Sequence, residues 1–298
     1  MNNYILSDVI EKMLTELSGV SRASQNTIDA YRRDLKHFTD FCTDKKAFYI
    51  NTITEKNIRF YLMNLSESGL DKSSISRKLS SLRRLFNFAL RNELIEINPI
   101  AKIPNPKVKR KLPETVSLDS FLEIYTLLDK EKDTNAAIRN KAVFELLYGC
   151  ALRVSELCGL NIGDVDLKKM SVRVFGKGSK VRIVPLGHKS LEVVKNYIDS
   201  QSHRSTSDPL FIGKKNERVS RHSIKNLVKK YLSKVTDIKK KSPHVLRHSA
   251  ATHMLDNYAD IMAVKEILGH ENLSTTQIYT HVSVERLKNS YKKAHPKS

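Results

Sequence analysis

Four prolines fall within residues 98–113, NPIAKIPNPKVKRKLP, and no continuous helix can run through them. A chain of 298 residues is long enough to build a separate core on each side of such a break. Five basic residues keep the stretch wetted, so it reads as a linker, either free or laid across a phosphate backbone. The expected division is therefore residues 1–97, a basic linker at 98–113, and residues 114–298.

Upstream of the break the apolar residues recur at helical spacing. Ile5, Val9, Ile10, Met13, Leu14 and Leu17 share one face, and Ile28, Tyr31, Leu35 and Phe38 share another within 24–42. Two further helices fit 55–65 and 73–91, each with Ser or Thr near its start to cap free amides. Four such helices predict an all-α bundle. Downstream, Ser117 caps a helix to 128, and 138–152 reads as a buried helix ending at Arg153. Val172-Arg-Val-Phe175 and Val181-Arg-Ile-Val184 alternate on either side of a basic, glycine-bearing turn, which predicts a β-hairpin. Helices return at 221–232, 243–255, 262–268 and 275–291. The fold class is mainly α: an all-α four-helix N-terminal domain followed by an α+β domain with a small hairpin sheet.

Charge narrows the partner. Lys and Arg number 52 against 32 Asp and Glu, a net +20, of which residues 1–102 hold only four. The excess lies in the linker and beyond, and it implies a polyanion, nucleic acid ahead of an anionic membrane surface. Arg32, Arg33, Arg77, Lys78, Arg83 and Arg84 read either as a solvated face or as DNA contacts. Asp8 and Glu11 interrupt any signal-peptide core, and no run approaches the ~18 apolar residues of a membrane span. Cys42, Cys150 and Cys158 supply neither a disulfide framework nor a zinc ribbon. The expectation is a soluble, reduced, cytoplasmic protein with no cofactor.

Several motifs carry chemistry. In Ser242-Pro-His-Val-Leu-Arg-His248, Ser242 and Pro243 start a helix whose first turns present His244, Arg247 and His248 on one face. Free amides and the helix dipole beside these side chains suit an anion, most simply phosphate. The alternatives are a core histidine at 248, or a metal held by His244 and His248, which Arg247 on the same face would oppose. Gly269 fits the left-handed end of a helix and leaves His270 just outside it. Ser274 and Gln277 form a capping box that places Tyr279 in the second turn of a new helix. Only about one phenol in a thousand is ionised at neutral pH, so Tyr279 as a nucleophile requires cations and a base nearby. Arg153 and Lys177 are the further cations, although Glu156 is an ordinary ion-pair partner for Arg153.

Taken together and in order, Ala151-Leu-Arg153-Val-Ser-Glu-Leu157, Gly176-Lys177-Gly178, His244-x-x-Arg247-His248, Leu268-Gly-His270 and Ser274-Thr-Thr-Gln-Ile-Tyr279-Thr-His281 resemble the tyrosine site-specific recombinases, in particular the bacterial XerC/XerD group. Cys150-Ala151 stands where that family usually has Thr-Gly, Ala250 where Phe is common, and Tyr258 where a glycine usually ends a helix. The resemblance implies that Tyr279 attacks a DNA phosphodiester and forms a 3′-phosphotyrosyl link. It implies that Arg153 and Arg247 hold the non-bridging oxygens, that His244 and His270 assist proton transfer, and that Lys177 protonates the leaving oxygen. It also implies two domains encircling double-stranded DNA, and a last helix at 284–293 that docks on a neighbouring protomer. The assembly would be a homo- or hetero-tetramer, with a paralogous recombinase as second subunit and a septal DNA translocase as regulator. The role implied is resolution of chromosome or plasmid dimers at cell division.

The competing readings are an integrase or excisionase of a mobile element, a type IB topoisomerase, and a non-catalytic DNA-binding protein. A first helix that starts almost at Met1 leaves no room for an extra arm-binding domain, which favours the Xer-like expectation.

Overall fold

The computed structural model describes residues 3–19, 23–45, 47–107, 114–176, 181–201, 204–213 and 216–269. Its chain divides into two units, Met1–Lys111 and Leu112–Ser298.

The first unit holds four helices, α1 (Leu6–Gly19), α2 (Gln25–Asp44), α3 (Glu55–Glu67) and α4 (Lys72–Arg91). Short polar side chains set their starts: Ser24 accepts the Thr27 amide, and Thr54 and Asn57 cap each other reciprocally. α4 begins one residue before the expected Ser73, because the Asp71 carboxylate takes the amides of Ser73 and Ser74. Leu35, Phe38, Tyr61, Leu82 and Phe86 form the centre of the core, with the Phe38 and Tyr61 rings edge-on at 5.0 Å. The proline-rich stretch begins as part of this unit: Ile100 and Ile103 are buried in its core, and Arg83 Nη2 donates to the Ile103 carbonyl at 2.5 Å.

The second unit is built from α5 (Leu118–Asp129), α6 (Thr134–Phe144), α7 (Val154–Gly159), α8 (His188–Asp199), α9 (Arg221–Val235), α10 (Pro243–Asp256) and α11 (Ile261–Leu268). A three-stranded antiparallel sheet, β1 (Val165–Asp166), β2 (Ser171–Phe175) and β3 (Val181–Pro185), lies between α7 and α8 in sequence, in the order β1-β2-β3. Pairing of Val172 with Val184 and of Val174 with Arg182 sets the hairpin register. The mainly helical class with a small sheet is what the sequence implied. β1 and α8 are additions to the elements expected from the sequence, and two residues are too few to show alternation.

One expected helix is not continuous. In place of a helix over 138–152 ending at Arg153, α6 stops at Phe144 and the chain widens into a π-helical turn, Glu145–Gly149. The Cys150 amide then reaches back to the Glu145 carbonyl at 3.2 Å, five residues away. Glu145 is fully buried and accepts from Ser190 Oγ at 2.7 Å and from Tyr125. Ala151 follows at φ +50°, in the left-handed region, so the helix cannot propagate. Arg153 therefore opens α7 instead of closing α6. The helices expected at 275–291 and 284–293 lie outside the described residues.

Candidate active site

Three arginines from three elements meet one carboxylate. Arg153 sits at the N-cap of α7, and Glu156, on the first turn of that helix, takes the Arg153 amide on Oε2 at 2.8 Å. This bond to the N-cap amide pins the carboxylate, and Arg153 Nη1 adds a second bond to Oε1 at 2.7 Å. From β3, Arg182 donates Nη1 to Oε1 and Nη2 to Oε2, both at 2.8 Å. From α10, Arg247 Nη1 lies 3.7 Å from Oε2.

The same three side chains close the end of α11. A helix leaves its last carbonyls without intrahelical partners, and that end carries partial negative charge. Arg182 Nε donates to the Ile267 carbonyl at 2.9 Å, Arg247 Nη2 to that of Leu268, and Arg153 Nη2 to that of Gly269 at 3.0 Å. Three consecutive carbonyls thus receive one arginine each. Gly269 makes this possible at φ +59°, where a side chain would strain the backbone. Arg247 is anchored once more, through Nη1 to the Ala151 carbonyl at 2.6 Å, which the left-handed Ala151 turns towards it.

Electrostatics follow from that packing. Burial alone would raise the Glu156 carboxyl, but the bonds from Arg182 and the Arg153 amide outweigh it and hold the group at about 2. Burial lowers the Arg247 guanidinium to about 10, helped by repulsion from Arg153 and Arg182 and opposed by Glu156. Arg247 is still charged at neutral pH. One carboxylate therefore faces three cations, and among the described residues only carbonyl dipoles answer the remaining positive charge.

Other candidate residues take varied places. Pro243 opens α10, but the Ser242 side chain makes no capping bond, which departs from the expected cap. His244 is exposed on the first turn, Arg247 is buried on the next, and His248 is half-buried. The structure thus brings Arg153 and Arg247 together; Lys177, His270 and Tyr279 lie outside the described residues. Phe175 pairs with Val181, the last rung of the hairpin before the basic sequence that contains Lys177. Among the described residues no group of three or more His, Cys, Asp or Glu could hold a metal ion, and no helix is long and apolar enough to cross a membrane.

Comparison with known proteins places this arrangement. Residues 119–286 match the Phage integrase family, and residues 10–93 match the phage integrase N-terminal SAM-like domain. Tyrosine recombinase XerD of Staphylococcus epidermidis is 38% identical over 297 residues, 98% of this chain and 100% of that protein. The chain belongs to the phage integrase family and is a tyrosine recombinase. Tyrosine recombinase XerC of Natranaerobius thermophilus is likewise 38% identical, covering 95% of this chain and 96% of that protein. In fold, the chain resembles a XerH recombinase solved with its palindromic difH substrate after cleavage (TM-score 0.72, 24% identity, 94% of this chain and 82% of that one). It also resembles the Tn1549 transposon integrase with circular intermediate DNA (TM-score 0.71, 18% identity, 96% and 98%).

Two departures of this tyrosine recombinase from its family's pattern acquire a physical meaning. Ala151 and Tyr258, which by the resemblance stand where glycines are expected, are both left-handed, at φ +50° and +60°. Arg182 is a member of the cluster beyond the residues expected from the sequence. Its signal was present in the strand alternation: Arg182 shares a face with buried Val184, and a charged residue on an inward face needs a partner.

Proposed function

We propose that this tyrosine recombinase cuts and rejoins duplex DNA at a specific site through a 3′-phosphotyrosyl intermediate on Tyr279. Residues 1–97 are assigned as the core-binding domain, 98–113 as a linker whose first part, with Ile100 and Ile103, packs into that domain, and 114–298 as the catalytic domain. The observation that carries the reading is the meeting of Arg153 and Arg247, 94 positions apart in sequence, on Glu156 and on adjacent carbonyls at the end of α11.

The chemistry follows from charge. A phosphodiester has one negative charge, and its pentacoordinate transition state approaches two. Fixed guanidinium groups gain more from the second state than from the first, which is the condition for raising a rate. Glu156 keeps both arginines in one geometry before DNA arrives, so little reorganisation remains for the reaction itself. The Tyr279 oxygen attacks phosphorus, the bond to the 5′ oxygen breaks, and Lys177 supplies the proton that oxygen takes. His244 and His270 accept and return the phenolic proton. Rejoining runs the same steps backwards from a 5′-hydroxyl, and the ester energy is retained in the phosphotyrosine.

The relatives' names support a Xer-type role, resolution of chromosome or plasmid dimers at cell division in the cytoplasm, within a tetramer of this chain or of this chain and a paralogue. Full-length similarity to XerC and XerD proteins favours this over a mobile-element integrase. Incubation with nicked target duplex in EDTA is expected to yield a covalent protein–DNA adduct, and Tyr279→Phe is expected to abolish it while still binding DNA. An adduct that persists in Tyr279→Phe removes that residue from the role, and loss of the wild-type adduct in EDTA points to a metal-dependent step.

A further inference from the structure

Arg182 has no role in the proposed mechanism, yet among the described residues its side chain makes more hydrogen bonds in the cluster than that of either proposed phosphate ligand. All three of its nitrogens donate: Nη1 and Nη2 to the two Glu156 oxygens, and Nε to the Ile267 carbonyl. By contrast, the Nε groups of Arg153 and Arg247 donate no hydrogen bond among the described residues. Arg182 also packs on Gly269: a Cβ at that glycine would lie 3.1 Å from Arg182 Cδ and Nη1. The guanidinium is therefore enclosed by Glu156, the last turn of α11 and the Gly269 backbone.

Its place in the chain adds a second argument. Arg182 stands on β3, five residues after Lys177, with its side chain opposite Val174 on the inner face of the hairpin. Ile267 and Gly269 immediately precede His270 and the segment that carries Tyr279. One side chain thus bolts the strand that follows Lys177 to the helix end that precedes Tyr279, and both to the carboxylate that orients Arg153.

We propose that Arg182 is a positioning residue of the strand-transfer site: it does not touch the phosphate but sets the distance between the general acid, the arginines and the nucleophile. This rests on Tyr279 being the nucleophile. Lysine keeps the charge but not the planar fork, so it can hold only part of the junction.

The test uses the full-length protein, a nicked duplex carrying the recombination site, and a second duplex with a neutral methylphosphonate at the scissile position. Cleavage under single turnover should slow about tenfold in Arg182→Lys and about 100-fold in Arg182→Gln, the size of loss that a misplacement of about 1 Å produces. DNA affinity should stay close to wild type in both. On the methylphosphonate duplex the Arg182 defect should remain, whereas a defect in Arg247→Ala should shrink, because only that variant lost a charge on the phosphate. Arg182→Lys preserves folding if Arg182→Gln does not, and melting temperature reports which case applies. A wild-type cleavage rate in folded Arg182→Lys overturns the proposal, and so does disappearance of the Arg182 defect on the neutral substrate. Absence of an adduct from the unmodified protein would instead overturn the assignment of Tyr279.

Discussion

Each unit buries a carboxylate among cations, and the two clusters do different things. In the first unit Asp34 on α2 is 3% exposed and is met by Arg77, Lys78 and the Ser81 hydroxyl, all from α4. Among the described residues those bonds join only the two helices, with the Arg77 side chain still 54% exposed. In the second unit Glu156 is met by arginines from an N-cap, a strand and a helix, and every one of them also grips the end of α11 or the turn at Ala151. The Asp34 cluster is an internal fastening. The Glu156 cluster holds surplus cations in fixed positions beside a helix end, which is the arrangement an incoming anion can use. A buried ion pair alone does not mark a site; what its cations additionally touch does.

The contrast can be broken most directly by paired substitutions. Glu156→Gln should destabilise the second unit by about 3–5 kcal/mol, because three buried or half-buried guanidinium groups lose their common counter-charge. It should also depress cleavage by bound protein. Asp34→Asn should cost less, about 1–3 kcal/mol, since Arg77 can turn to water. It should leave the cleavage rate of bound protein unchanged. Denaturant melts together with single-turnover cleavage would check both, and equal cleavage losses would end the distinction.

Next in size, Arg153→Ala and Arg247→Ala should each slow covalent cleavage about 10²–10³-fold, roughly 3–4 kcal/mol, while binding weakens far less. If both variants lose only affinity, the cluster holds DNA without acting on it.

Acid sharpens the comparison further. Glu156 is held at about 2 against an ordinary value of 4.5. Its contribution is complete above pH 4.5, and it is lost as pH falls towards 2, because the unfolded chain takes up the proton first. The loss should amount to about 3 kcal/mol in wild type and be missing in Glu156→Gln. Hydrogen exchange in α7, α10 and α11 across that range would report it.

The smallest effect separates two backbone positions. Tyr258 is left-handed and 97% exposed, so Tyr258→Gly should relieve about 1 kcal/mol of strain. A rise of about 2–4 °C in melting temperature is expected for a unit of this size. Ala151 is equally left-handed but fully buried, and Ala151→Gly should gain less because its methyl group leaves a void.

Much of this molecule was legible before any coordinates. Period-3.6 apolar faces define α1 to α4, the two alternating runs define β2 and β3, and Gly269 stops α11, because each of these rests on local backbone chemistry. Arg153 and Arg247, which the structure brings together on Glu156, could be named because their surrounding motifs are short and contiguous. Three facts belonged to the tertiary structure alone: the π-helical turn that makes Arg153 open a helix, the burial of Ile100 and Ile103 beyond the expected linker boundary, and the junction formed by Arg182. Each depends on partners far away in sequence, such as Ser190 for Glu145, Arg83 for the Ile103 carbonyl and Ile267 for Arg182. Local patterns record which way a side chain points; only the packed chain determines what waits there to receive it.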